Sequence, residues 1–146
     1  MNENIVRVGI AAVIQKDGKV LFHKRKGKHA PGVWAFAGGH LEFNEGLEEA
    51  IRREIKEETG LDVGKVTGPI FVANNTYPNE GKHYITLFMN AEYIGGEAKI
   101  MEPEKCECWN WFSKEELPEN LMPPIIDLIK SGVFSISIRI LCDLPK

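Results

Sequence analysis

The sequence predicts a single α+β domain, an α/β/α sandwich, on three observations. Stretches rich in β-branched residues alternate in mixed order with two amphipathic helical stretches. Turn signals separate them at short intervals, and no repeat, low-complexity run or linker-like stretch divides the chain. Its 146 residues can bury one core and are too few for two.

Residues 5–15, IVRVGIAAVIQ, read as a strand. Asp17-Gly18 signals a hairpin turn into a second strand, KVLFHKR. GKHAPG is a loop, and VWAFA a short buried strand running into Gly38-Gly39. A helix is expected from Leu47 to Thr59, closed by Gly60 as a left-handed cap. PIFVANNTY and HYITLFMNAEY are two more strands joined by the polar turn PNEGK, and Gly95-Gly96 breaks the chain again. CECWNWF is a strand, and Ser113 with Glu116 forms a capping-box signature for a short helical turn. PPIIDLIKSG is a last helix, with proline at its start and Gly132 after its end. The tail, 133–146, begins VFSISIRIL; it alternates like a strand and has no evident partner.

Composition narrows the function. Hydrophobic residues make up 43% and charged residues 27%, as in a globular domain. The net charge of −3 argues against a general nucleic-acid polymer binder, which would present a basic face. A polyphosphate substrate would be repelled too, unless a cation stood between its phosphates and the protein's carboxylates. No apolar run reaches membrane-spanning length, and MNENIVRV lacks the pattern of a signal peptide. Cys106, Cys108 and Cys142 show no disulfide-like spacing. That fits a reducing, cytoplasmic setting. No histidine sits at zinc-finger spacing from Cys106-x-Cys108, so the pair reads as a strand with alternating faces.

The helix carries the chemistry. If its glutamates were only a solvated face, they would lie opposite the apolar stripe. With about 100° per residue from Leu47 at zero, Ala50 falls near 300°, Ile51 near 40° and Ile55 near 80°. Glu48, Glu49, Arg52, Arg53, Lys56 and Thr59 fall between about 100° and 240°, on the expected wet side. Glu54, Glu57 and Glu58 fall near 340°, 280° and 20°, inside the apolar sector. Three carboxylates in so narrow an arc repel one another. Arg53 can reach Glu57 one turn away, but one guanidinium cannot satisfy three acids. A hard divalent cation with oxygen ligands can. Gly38-Gly39 would let the backbone turn tightly and come close to a ligand. Glu45, near the helix start, is favoured there by the dipole and could support a metal shell.

The run Gly39-x5-Glu45-x7-Arg53-Glu54-Ile55-x-Glu57-Glu58-x-Gly60-Leu61 resembles the full Nudix box, residues 39–61. The resemblance implies the Nudix α/β/α sandwich, with the box as a loop-helix-loop against a mixed sheet. That plan covers about residues 5–132 and leaves the tail unexplained. GGHLEF, HYITLFM and EPEKCECWNWFSKEELP look most like the MutT-like nucleoside triphosphate diphosphatases. There are two departures. Ala37 stands where a proline is usual, which should loosen the turn that aims the Gly38 carbonyl, and Asn44 stands where a glycine is usual.

By this resemblance the chain would hydrolyse a nucleoside triphosphate, canonical or modified, to a monophosphate and pyrophosphate, as in nucleotide pool sanitation. It would use Mg²⁺, or Mn²⁺ as the alternative, held by Glu54, Glu57, Glu58, Glu104 and the Gly38 carbonyl. Glu54 is the first choice as general base and Glu104 the second, with Glu102 and Glu107 competing for the latter's metal contact. Arg53 would orient the glutamates. Arg25, late in its strand, is a candidate phosphate contact. Phe36, Trp109 and Trp111 are candidates to stack on a base, although aromatics in strands more often pack in the core. Gly39 and His40 would approach phosphate or base, with His83 and Tyr84 as pocket wall.

Two other readings stand beside this one. The first is a hydrolase of ADP-ribose, dinucleoside polyphosphates or a similar conjugate, which the spacing of Tyr77 and Pro78 past the box favours. The second is a non-hydrolysing nucleotide sensor, which the intact acid set disfavours. The apolar, alternating tail predicts a homodimer contact.

Overall fold

The computed structural model describes residues 4–28 and 30–133. Seven strands form one mixed sheet: β1 (Arg7–Lys16), β2 (Lys19–Arg25), β3 (Trp34–Ala35), β4 (Ala37–His40), β5 (Val63–Tyr77), β6 (Lys82–Tyr93) and β7 (Cys106–Ser113). Two helices, α1 (Leu47–Thr59) and α2 (Pro123–Ser131), complete it. The chain has the expected α+β sandwich. The strand expected over the tail, its dimer contact and Cys142 lie outside the described residues.

Asp17 and Gly18 both take positive φ, 49° and 76°, the geometry of a two-residue hairpin turn, and Lys16 stands opposite Lys19. β1 then splits its partners. One edge pairs in parallel with β6 along almost its whole length. The other meets β2 at Gln15 and Lys16 and β4 from Gly9 to Ala12. The sheet forks there, and β7 extends the far arm by pairing along β2.

The helices cover opposite faces because strand side chains alternate. Ile10, Ala12 and Ile14 of β1 join Ala50, Ile51 and Ile55 of α1 in one cluster. Val13, Phe22 and Phe88 join Ile125 and Leu128 of α2 in the other. Both helices stop on a left-handed glycine, Gly60 at φ 77° and Gly132 at φ 81°. Among the described residues no helix is long and apolar enough to cross a membrane.

Several expectations are corrected. VWAFA is not one strand, because the pairing breaks at Phe36. β5 starts at Val63 rather than residue 69, and its register shifts between Val63 and Val66 and between Thr67 and Phe71. Arg52 is not a purely wet residue. It donates to the Val63 and Gly64 carbonyls at 2.8 and 2.7 Å, tying α1 to the first of those irregularities. Thr59 is fully buried; its hydroxyl donates to Ile55 O at 2.6 Å and accepts from Leu61 N–H at 3.0 Å as the chain leaves the helix. Ser113 to Glu116 make a hydrogen-bonded turn, closed by the Ser113 carbonyl, rather than a helical one.

Candidate active site

The site lies where α1 crosses the outer edge of β4. Leu41 N–H donates to Val8 O, so Gly9–His40 and Ala11–Gly38 are the non-bonded pairs of this antiparallel ladder. The backbone groups of Gly38 and His40 therefore leave the edge facing away from β1. Two contacts agree with this: Gly38 N–H donates to Glu58 Oε1 at 2.7 Å, and the His40 carbonyl accepts from Arg53 Nη2 at 3.2 Å. The Gly38 carbonyl leaves by the same edge as its N–H.

Gly38 and Gly39 do not form the expected tight turn. They lie in extended β4 and neither has a positive φ. What they supply is room. A Cβ on Gly39 would stand 2.5 Å from Glu54 Oε1, and one on Gly38 would stand 2.1 Å from the Ile10 carbonyl oxygen. Ala37, in the same strand and buried, has no turn to loosen. Asn44 does take the left-handed conformation that its usual glycine would supply, at φ 65°, so this departure keeps the loop.

Arg53 organises the acids. Its guanidinium grips Glu45 through Nε to Oε2 at 2.5 Å and Nη2 to Oε1 at 2.9 Å. Nη1 reaches Glu54 at 2.9 Å and Glu57 at 3.4 Å. The hydrogen bond from Arg53 holds the Glu45 carboxyl below the usual carboxylate range. Glu54 is drawn in, with 12% of its side chain exposed, whereas Glu57 remains 56% exposed. Glu58 is pushed up to about 8, first by burial; the Gly38 N–H opposes this, and the charges of Glu54 and Glu102 add to it.

These residues suit a hard cation. Glu54 and Glu58 are close enough that the charge of the first raises the pKa of the second, and a positive ion beside the pair would relieve that repulsion. All the donors are oxygens. Among the described residues no three acid, histidine or cysteine side chains already surround one point. A cation held by all three carboxylates would need Glu57, which is exposed, to turn inward.

The other expected site residues divide. His40 stacks on Tyr84, with ring centroids 5.8 Å apart and planes 5° apart, and its Nε2 lies 3.4 Å from the Tyr84 hydroxyl. Both stay near the β4 edge. His83 lies 2.6 Å from Asn74 through Nε2 and Oδ1. Arg25 sits beside His23 and helps depress its pKa. Phe36 is corrected: it is buried among Phe22 and Phe88, with no face to offer a base. Trp109 lies against His23 and Trp111 against Tyr93, both packed on the α1-side core. Glu104 is exposed, and it is Glu102 whose charge reaches Glu58. Glu107 pairs with Lys24 at 3.6 Å. Arg7, which nothing in the sequence singled out, lines a shallow pocket with His40.

With this geometry in place, the comparisons are informative. The chain belongs to the NUDIX domain family, which matches residues 3–131. It is similar to an ADP-ribose pyrophosphatase of Methanocaldococcus jannaschii, 39% identical over 67% of this chain and 57% of that protein. It is also similar to an NAD-capped RNA hydrolase of Stutzerimonas stutzeri, 34% identical over 73% of this chain and 36% of that protein. The chain thus spans less than two thirds of the length of these curated relatives. A MutT NUDIX hydrolase from Burkholderia pseudomallei has a similar solved structure, with a TM-score of 0.79 at 32% identity, covering 86% of this chain and 97% of that one.

Proposed function

We propose that this chain hydrolyses a phosphoric anhydride in a nucleoside diphosphate derivative, with a divalent cation. The observation that supports this best is the acid set beside the Gly38 edge, in which Arg53 holds Glu54 and Glu57 and the Gly38 N–H holds Glu58. The cation, Mg²⁺ or Mn²⁺, would be held by Glu54, Glu57, Glu58 and the Gly38 carbonyl. Once bound, it would neutralise phosphate charge and make a water more acidic.

The remaining work belongs to the chain's own residues. Arg53 fixes Glu54 against Gly39, so that this carboxylate is aimed before substrate arrives. Glu54 is the proposed acceptor of the attacking water's proton. Glu58, whose pKa is raised by burial, would be held as a carboxylate by a bound cation. Glu45 fixes Arg53.

On this reading the substrate is a nucleoside triphosphate, canonical or modified, released as a monophosphate and pyrophosphate. The M. jannaschii and S. stutzeri relatives favour a second reading, a nucleoside diphosphate conjugate such as ADP-ribose or a capped 5′ end. Product analysis tests both. Purified protein with and without Mg²⁺ is given NTPs, dNTPs, 8-oxo-dGTP, ADP-ribose and a dinucleoside polyphosphate, with Glu57→Gln as control. Metal-dependent monophosphate plus pyrophosphate, lost in the variant, is the expected result. AMP plus ribose phosphate selects the second reading. Nucleotide binding with no turnover overturns both.

A further inference from the structure

The face of the sheet opposite α1 carries a cluster that the acid set does not use. Arg7 stands directly across from Tyr84 in the parallel β1–β6 ladder, and Gly9 across from both Thr86 and His40. Arg7, His40, Tyr84 and Thr86 therefore project from one face, and the His40–Tyr84 stack shows two of them meeting. Between them the floor is bare backbone, because a Cβ on Gly9 would meet nothing closer than 3.6 Å. A shallow pocket opens at this end of the sheet, lined by Arg7, Val8, His40 and Leu41.

Arg7 is exposed, and its side chain has no hydrogen-bond or ion-pair partner among the described residues. A lone surface arginine means little. This one lines the same opening as the His40 imidazole, on which the Tyr84 phenol is stacked, so a guanidinium and an imidazole border the opening and a phenol stands behind the second. That combination suits a phosphoryl oxygen set, which a guanidinium grips through two parallel bonds. The pocket is also tied to the acid set. Arg53 holds the His40 carbonyl, and His40 follows Gly38 by two residues, about 7 Å along the strand.

We propose that Arg7, His40 and Tyr84 form a phosphoryl subsite, which takes an anionic group of the substrate beyond the scissile diphosphate. The inference rests on the proposed anhydride hydrolysis and narrows its substrate. A terminal phosphate of a nucleoside triphosphate and the far phosphates of a dinucleoside polyphosphate share this chemistry. ADP-ribose does not, since an uncharged sugar follows its diphosphate.

Two measurements test it. In the metal-free full chain, inorganic phosphate is titrated and followed by ¹H–¹⁵N NMR. The expected result is saturable shifts at Arg7 Nε and at the His40 and Tyr84 amides, the amide shifts being lost in Arg7→Gln and weakened in Arg7→Lys. No shifts there, or shifts indifferent to Arg7→Gln, overturn the subsite whether or not the chain turns anything over. Shifts without turnover keep the subsite and remove the proposed hydrolysis. In the metal-loaded chain, Arg7→Gln should raise KM for ATP or for diadenosine tetraphosphate about tenfold more than KM for ADP-ribose, with kcat little altered. The substrate that shows the larger rise names the source of the phosphate. An equal rise for all three overturns the proposal.

Discussion

The Glu54 carboxylate occupies the space in which a side chain on Gly39 would begin, with Oε1 2.5 Å from the position of a Cβ there. The neighbouring Gly38 faces backbone instead, the Ile10 carbonyl oxygen at 2.1 Å. These two glycines should therefore fail differently. Gly39→Ala displaces the flexible end of one side chain, so the fold should survive while kcat falls by about 100-fold. Gly38→Ala strikes backbone that cannot give, and should cost about 3 kcal/mol of stability. Urea unfolding and steady-state kinetics on both variants separate the outcomes. Equal loss of stability in the two would sink the distinction.

Arg53 is the second place where geometry, rather than charge, decides. Its fork reaches Glu45 twice, Glu54, Glu57 and the His40 carbonyl. Lysine keeps the charge but offers donors from a single point. Arg53→Lys should lower kcat by about 100-fold with the circular dichroism spectrum unchanged, because Glu54 and Glu57 lose their aim. Activity within threefold of the parent would show that charge alone suffices.

Much of this site was legible in the sequence because a helix has a fixed period. Leu47–Thr59 was bounded by its own stripe and by Gly60, and the wheel placed Glu54 and Glu58 on the inner side where they are found, whereas Glu57, placed there too, is exposed. The same wheel put Thr59 on the wet side. It failed there because the wheel knows nothing of the chain that follows, and Leu61 folds back over that residue. Gly38 and Gly39 were read as a turn because glycine usually signals freedom of φ. Here its use is the absence of a Cβ, which depends on Glu54 and Ile10 arriving from distant sequence. Phe36 and Trp109 were ambiguous for a similar reason. An aromatic in a strand faces core or cleft according to which neighbours pair with it, and His23 opposite Trp109 could not be known from spacing.

Arg52 illustrates a stability role kept apart from chemistry. Its guanidinium takes the Val63 and Gly64 carbonyls at the β5 irregularity, with Glu48 at 3.0 Å behind it. Removing it leaves two partly buried acceptors without their charged donor. Arg52→Met should destabilise the chain by about 1–3 kcal/mol and leave kcat within about twofold of the parent. Thermal unfolding checks the first figure and steady-state kinetics the second. A large fall in kcat without loss of stability would move Arg52 into the catalytic machinery.

His23 gives the chain a pH dependence of stability separate from that of its carboxylates. It is 7% exposed and lies against Trp109 at a centroid distance of 4.8 Å, and its Nδ1 has no hydrogen-bond partner. Burial, helped by the charge of Arg25 and opposed by a hydrogen bond to the Phe36 backbone, pushes its pKa down to about 4 from 6.5. Above 6.5 neither the folded nor the unfolded chain protonates this ring, so it costs nothing. As pH falls from 6.5 towards 4 the unfolded chain takes up a proton that the folded chain refuses, and stability drops; below about 4 both forms are charged and the slope ends. The loss accumulated by pH 4.5 is about 2.5 kcal/mol. His23→Phe keeps the ring against Trp109 and removes the titration. Urea unfolding of both proteins near pH 7.5 and pH 4.5 should show the parent losing about 2.5 kcal/mol more than the variant, since carboxylate contributions common to the two cancel in the difference. Parallel losses would mean that the ring accepts its proton without leaving the fold, and that the gap beside Nδ1 is wetter than its burial implies.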